Sequence, residues 1–303
     1  MSVVWESCAG GARVLRVLGD TPCPVVPHTV DGVPVVEIGP YCFADKPVTG
    51  GTLWPADSAD THEITGNFVE EVTLPDAVRV IDSAAFYNCR RLRRVALGPT
   101  ADSFGSDLFT NCRSLQTLEL HADPGEPTGL RRLLVAISAD VTVAFTGGAR
   151  LFYPEYFELL DENTPAHIFN HSIEGEGYRM RQCFAPDGSL DFAAYDASFA
   201  QACVGESEEK LCKLALGRLC LPYALSDDAR ADYEFYLTAH PDAAFTLAIT
   251  ARDETAVRLL VGLALPTARA AAYCAQQGWS AGAALLLGRR HKAAKKTYGF
   301  DDL

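Results

Sequence analysis

One stretch of this chain repeats itself at a fixed spacing, and that constrains its fold more than any other feature. Val72-Thr73-Leu74 corresponds to Val95-Ala96-Leu97, and Ile81 to Cys89 corresponds to Phe104 to Cys112, both at an offset of 23 residues. A period in the twenties is the mark of a solenoid. Leu92, Val95 and Leu97 recur as Val69, Val72 and Leu74, and again as Leu115, Leu118 and Leu120. Three apolar positions per copy can therefore stack into one continuous core, which a single copy could not bury alone. Phe86 and Phe109 are placed to fill the interior behind the strand. Cys89 and Cys112 fall on the turn that re-enters it, where a free cysteine serves as a small buried hydrophobe.

The residues between these core positions point to the outer face of a parallel ladder. Across copies they form two rows, Glu71, Arg94 and Thr117, then Thr73, Ala96 and Glu119. Strands about 4.8 Å apart bring Glu71 within pairing distance of Arg94. An exposed pair of this kind contributes about 0 to 1 kcal/mol. Arg90, Arg91, Arg93 and Arg94 make the local basic cluster, which reads first as a solvated turn and second as a contact for an acidic partner.

The Asn88-Cys89 pair followed by Arg90-Arg91-Leu92, and Asn111-Cys112 followed by Arg113-Ser114-Leu115, resembles the BspA-type leucine-rich repeats of bacterial proteins. That pattern runs isoleucine, glycine, two variable residues, Ala-Phe, two residues, Cys and then a short strand. The resemblance implies a solenoid architecture and not a particular task; no catalytic residue and no cofactor is expected. Val25 to Gly39, with its Asp31-Gly32 turn, is similar to the same pattern, and Ile38 to Phe43 aligns with Ile81 to Phe86. Residues 11 to 46 are thus expected to be a degenerate first pair of repeats, since the terminal units of a solenoid are atypical.

From Pro47 to Gly66 the pattern breaks, and this segment is expected to be an insertion loop projecting from the stack. It carries Trp54, a residue type enriched in interaction hot spots. After a Pro/Gly loop at 121–129, Leu130 to Ile137 and Val141 to Phe145 are expected to be the last helix and strand closing the stack. Thr146-Gly147-Gly148 marks the boundary. From Leu151 onward the period turns helical: Ser207 and Ser226 stand as N-caps with acids after them, and Leu211, Leu214, Leu216 and Leu219 form a stripe. Arg252 to Gly262 then aligns with Gly278 to Gly288 at an offset of 26 residues, and these hairpins resemble degenerate ankyrin repeats.

Three constellations could carry chemistry. Gly278-Trp279-Ser280-Ala281-Gly282 matches the nucleophile elbow by letter, but helical sequence precedes it where the elbow needs a strand, so Ser280 reads as a helix N-cap. His167 and His171 lie four apart, as paired metal ligands do on a helix, without two further ligands nearby, so no metal is assigned. Gly175 to Cys183 places Arg179 and Arg181 beside two glycines, a candidate small-anion site and the basis of the alternative reading as an enzyme or ligand-binding protein. The basic run from Arg289 to Lys296 reads as a solvated helix end favourable to the macrodipole.

A formal net charge of −13 and a pI near 4.9 argue against a nucleic-acid partner. No stretch reaches the roughly 18 apolar residues of a membrane helix. The N-terminus lacks a basic, apolar leader, and ten cysteines suit a reducing compartment, so the expected location is cytoplasmic. The expected fold is α+β: a leucine-rich-repeat solenoid over residues 1–146 and an all-α helical-hairpin domain over 147–303. The expected function is non-enzymatic protein binding through Trp54, Glu71, Thr73, Arg91, Arg94, Ala96, Thr117 and Glu119.

Overall fold

In the computed structural model, which describes residues 1–163 and 168–293, the 23-residue copies coil into a flattened solenoid with a parallel ladder on each broad face. The strands, in order, are β1 (Ser2–Cys8), β2 (Gly11–Leu18), β3 (Thr29–Val30), β4 (Val33–Ile38), β5 (Thr52–Trp54), β6 (Glu71–Thr73) and β7 (Val80–Ile81). They continue as β8 (Arg94–Leu97), β9 (Ser103–Phe104), β10 (Thr117–Leu120), β11 (Val141–Phe145), β12 (Ala149–Tyr153), β13 (Phe157–Asn163) and β14 (Ile168–Glu174). One face runs β5-β1-β2-β4-β7-β9 and the other β12-β11-β10-β8-β6. The register follows the sequence offset: Val72 lies opposite Val95 and Val95 opposite Leu118. These residues, with Val69, Leu74, Leu92 and Leu97, are buried.

Between the two faces the turns build a ladder of their own. Ala84 N–H donates to Ser106 O at 2.8 Å and Asn88 N–H to Thr110 O at 2.9 Å, one copy to the next. Inside, Phe43, Phe86 and Phe109 stack with centroids 5.1 and 5.4 Å apart. Each turn cysteine donates its S–H to the phenylalanine carbonyl of the preceding copy: Cys89 to Phe43 O at 3.1 Å and Cys112 to Phe86 O at 3.0 Å. Burial pushes the Cys112 thiol up to about 12 and raises that of Cys89 further, so both stay protonated and can donate. Asn88 and Asn111 sit at φ 62° and 63°, a left-handed region that asparagine tolerates better than most residues.

An open parallel ladder exposes edges, and each end of this one is covered. At the first face β1 folds antiparallel onto β2, and Arg16 of β2, 1% exposed, donates to the carbonyls of Cys42, Ala44 and Lys46. The N-terminal edge of the second face is a proline-rich segment: Pro22 O and Pro24 O accept from Glu70 N–H and Thr73 N–H. Prolines cannot donate to a further strand, which suits an edge. Asp31 and Gly32, both at positive φ, join β3 to β4 in the predicted tight turn. At the C-terminal end, helix α1 (Leu130–Val135) covers β9, with Arg132 donating to Asp102 O at 2.7 Å. There β12 closes the second face antiparallel to β11.

Two expectations are corrected. The 47–66 segment does not project: β5 pairs antiparallel with β1, and Ile64 is fully buried with its N–H on Val17 O. Its apolar residues find cover against the N-terminal hairpin. The region after residue 146 is not helical at once, because strands β12, β13 and β14 follow it before the first helix of that region. Ala149, Leu151 and Tyr153 alternate on one buried face of β12, a period of two that the last open strand of the ladder selects.

Short helices α2 (Gly177–Met180) and α3 (Phe192–Ala197) complete the first compact unit, residues Met1–Ser198; residues Phe199–Leu303 make the second. In that second unit α4 (Phe199–Gly205) precedes α5 (Glu208–Cys220) and α6 (Asp227–Ala239), the last two capped by Ser207 and Ser226. Then come α7 (Pro241–Thr250), α8 (Glu254–Gly262), α9 (Ala268–Gln276) and α10 (Ser280–Ala293). The 26-residue repeat is physical: Asp253 N–H donates to Ala248 O and Trp279 N–H to Cys274 O, each after a left-handed residue, Arg252 at φ 51° and Gly278 at φ 64°. Ser280 opens α10 with helix α9, not a strand, before it, so the elbow geometry is absent.

Candidate protein-binding face

The outer side of the second ladder is where the copies place their polar residues. Arg94 lies between Glu71 and Thr117, and Ala96 between Thr73 and Glu119, in the two expected rows. Arg94 reaches diagonally: its Nε and Nη2 donate to Glu119 Oε2 at 2.9 and 2.7 Å, while Nη1 meets Glu71 Oε2 at 3.5 Å. The lateral pair expected from spacing is therefore the weaker of the two. A long side chain on a pleated surface reaches the diagonal neighbour as readily as the facing one.

The pairs continue beyond Arg94. Arg93 Nη2 lies 2.8 Å from Glu70 Oε2 and 3.9 Å from Glu71, and Arg91 donates to the other oxygen of Glu70. On the far side Glu119 lies 3.7 Å from His121, whose Nδ1 is 2.7 Å from Asp76. The result is an unbroken belt of alternating charge from Arg91 to Glu119, which His121 joins to Asp76. Glu70 and Arg93 were legible in the sequence, since they stand 23 residues apart; Asp76 was not, because it reaches His121 from a loop. Arg91 and Arg93 remain half or more exposed. Each link is a surface pair of about 0 to 1 kcal/mol, so a partner's charges can replace the internal ones at small cost.

Two of the expected contact residues do not belong to this face. Ala96 is fully buried and offers no surface. Trp54 lies opposite Val3 in the other sheet and is partly covered there, so it does not stand beside Arg94. Thr73 and Thr117 are partly exposed within the rows.

The anion-site alternative also meets a physical obstacle. Arg181 is 3% exposed and spends its donors on backbone: Nε on Ile137 O at 2.9 Å, Nη1 on Gly177 O at 2.9 Å and on Pro154 O, and Nη2 on Ala139 O at 2.7 Å. Burial pulls its guanidinium down to about 10, still charged at neutral pH. Arg179 is instead 65% exposed and paired with Glu176. The two arginines do not converge. His171 pairs with Glu158 at 3.4 Å on an exposed strand, and His167 lies outside the described residues. Among the described residues no group of three or more His, Cys, Asp or Glu could hold a metal, and no helix is long and apolar enough to cross a membrane.

A capped solenoid of short parallel strands, with turn asparagines and interior phenylalanines in register, is the architecture of a leucine-rich-repeat protein. Residues 65–125 match the family model described as BspA type Leucine rich repeat region (6 copies), and this part of the chain is a repeat region of that type. No curated protein matches the sequence. A solved leucine-rich repeat protein of T. pallidum aligns at 20% identity with a TM-score of 0.31, over 48% of this chain; the chain spans 62% of that protein's length.

Proposed function

We propose that this chain is a non-enzymatic interaction or scaffold protein of bacterial origin. It binds a protein partner across the outer face of its second ladder, through Arg91, Arg94, Glu71, Thr73, Thr117 and Glu119. The observation that supports this most is the belt itself, a partly exposed row of both charge signs held in register on an end-capped stack. Recognition by such a face depends on the order of charges, which steers encounter and fixes register more than it adds affinity. The leucine-rich-repeat family is typically non-enzymatic, and repeat arrays commonly present extended binding surfaces. The helical hairpins of the second unit, read as degenerate ankyrin-like repeats, would supply a further protein-binding module. The chain's ten cysteines suit a reducing cytoplasm.

The test is affinity capture from native extract with the intact chain and with Arg91→Glu plus Thr117→Lys, after both are shown to melt alike. A protein retained by the intact chain and lost by the variant supports the reading. Identical recovery by both removes the ladder face as the site.

A further inference from the structure

The glycine-arginine stretch that looked like an anion site has a different use. It clamps the base of the β13-β14 hairpin. Pro154 precedes β13 and Gly177 follows β14, and Arg181 binds both their carbonyls together with those of Ile137 and Ala139. Tyr156 and Tyr178 meet edge to face across the same base at 5.5 Å. A Cβ on Gly177 would stand 1.9 Å from Pro154 O, so the backbones close to a distance only glycine permits. The glycines admit a carbonyl, not a ligand.

What this base holds out is a ribbon with apolar residues exposed on both faces. Phe157, Leu159, Leu160 and Ile173 are 56, 39, 67 and 39% exposed, although strand residues of these types normally pack on a neighbour. The hairpin forms a two-stranded sheet of its own, so among the described residues both outer edges lack a strand. An isolated two-stranded ribbon is marginal in water, and clustered exposed apolar residues mark interaction sites. Across the strands Phe157 faces Glu174 and Ile173 faces Glu158, so each face pairs an apolar residue with an acid. Neither strand contains a lysine or arginine, and the whole chain carries −13.

We propose that the β13-β14 hairpin is a second docking element, which takes an extended segment of another protein with alternating apolar and basic residues as a third strand. Backbone pairing at a free edge supplies the register, and alternate side chains supply the choice of partner. Charge selects this occupant. A second copy of the hairpin would bring the same acids with no lysine or arginine to meet them, and an anionic lipid surface would repel Glu158 and Glu174.

The probe is a fluorescein-labelled octapeptide of alternating leucine and lysine, with an alternating leucine and glutamate octapeptide as its counterpart, titrated against the full chain by anisotropy. The lysine peptide is expected to bind, and Phe157→Ser with Leu160→Ser to weaken it by about ten-fold or more at an unchanged melting temperature. Arg94→Ala is expected to leave this binding intact, which separates it from the ladder reading. If the double variant unfolds, Glu158→Lys with Glu174→Lys serves instead and is expected to exchange the preference to the glutamate peptide. Equal binding of both peptides, or affinity unmoved by these substitutions, overturns the proposal. So does a wild-type dimer that the double variant converts to monomer, which would make the occupant a second copy.

Discussion

Replacing Arg181 by methionine should loosen one defined part of the molecule. The substitution keeps most of the buried stem and removes a cation that serves the carbonyls of Ile137, Ala139, Pro154 and Gly177. Hydrogen bonds to a charged group contribute roughly 1.5 to 3 kcal/mol each, so four amount to about 6 to 12 kcal/mol before any offset. Against this stands the desolvation of a guanidinium that is 3% exposed, an effective penalty of several kcal/mol. The net loss expected is about 3 to 5 kcal/mol, the range for breaking a buried charged network from one side. Most of it should appear locally, because all four carbonyls flank the hairpin and its neighbouring loop. Hydrogen exchange read by mass spectrometry on peptides covering residues 154–160 and 171–181 should therefore accelerate by about two to three orders of magnitude. Peptides from β8 and β10 should change far less. Arg181→Lys should recover less than half of the loss, since an ammonium lacks the planar fork that spans four acceptors. Exchange in the hairpin indistinguishable from wild type would refute the clamp.

Gly177→Ala should act in the same place, destabilising by about 2 kcal/mol or more through collision with Pro154 O, measured by chemical denaturation. Asn88→Ala, at φ 62° and bonded to Asn111 at 2.8 Å, should cost about 1 to 2 kcal/mol, and Asn88→Gly should cost less; equal losses would exclude backbone conformation as the cause. Arg94→Ala should change stability by no more than about 1 kcal/mol, because its pairs with Glu119 and Glu71 are partly exposed, as a thermal melt would show. Burial raises the thiols of Cys42 and Cys112 from 9.0 to about 12, so the unfolded chain loses these protons first as pH rises. The stability tied to them is complete below pH 9 and falls between pH 9 and 12, by about 1.4 kcal/mol per pH unit per thiol; Cys112→Ala should flatten that fall in urea titrations run across the range.

The repeat was legible because a solenoid writes its contacts into a constant offset. Val72, Val95 and Leu118 face one another for the same reason that they are 23 residues apart in sequence, and the two surface rows followed from the alternation of strand side chains. Helix α1, strand β11 and the caps Ser207 and Ser226 were legible from local chemistry alone, but β12, the strand that closes the second face, was not. Contacts that obey no offset were not. Trp54 returns to β1 through an irregular loop, and Asp76 reaches His121 from another. Ala96 is buried although its row reads as surface, because position along a ladder says which face a residue takes and not what covers it.

The stretch from Gly175 to Cys183 marks the division most clearly. Its composition, two glycines and two arginines, is what close approach and multiple donors require, and that much is a property of the sequence. Whether the approaching group is an anion or a carbonyl depends on where Pro154, Ile137 and Ala139 arrive. Those residues lie more than twenty positions away and outside any repeat. Sequence by itself determined that this chain must coil, where its core runs and which residues line its ladder, since stacked copies leave no freedom in their neighbours. Only the tertiary structure decided how the coil is capped, which charges pair, and that Arg181 holds a hairpin in place, because those contacts join segments whose spacing carries no period.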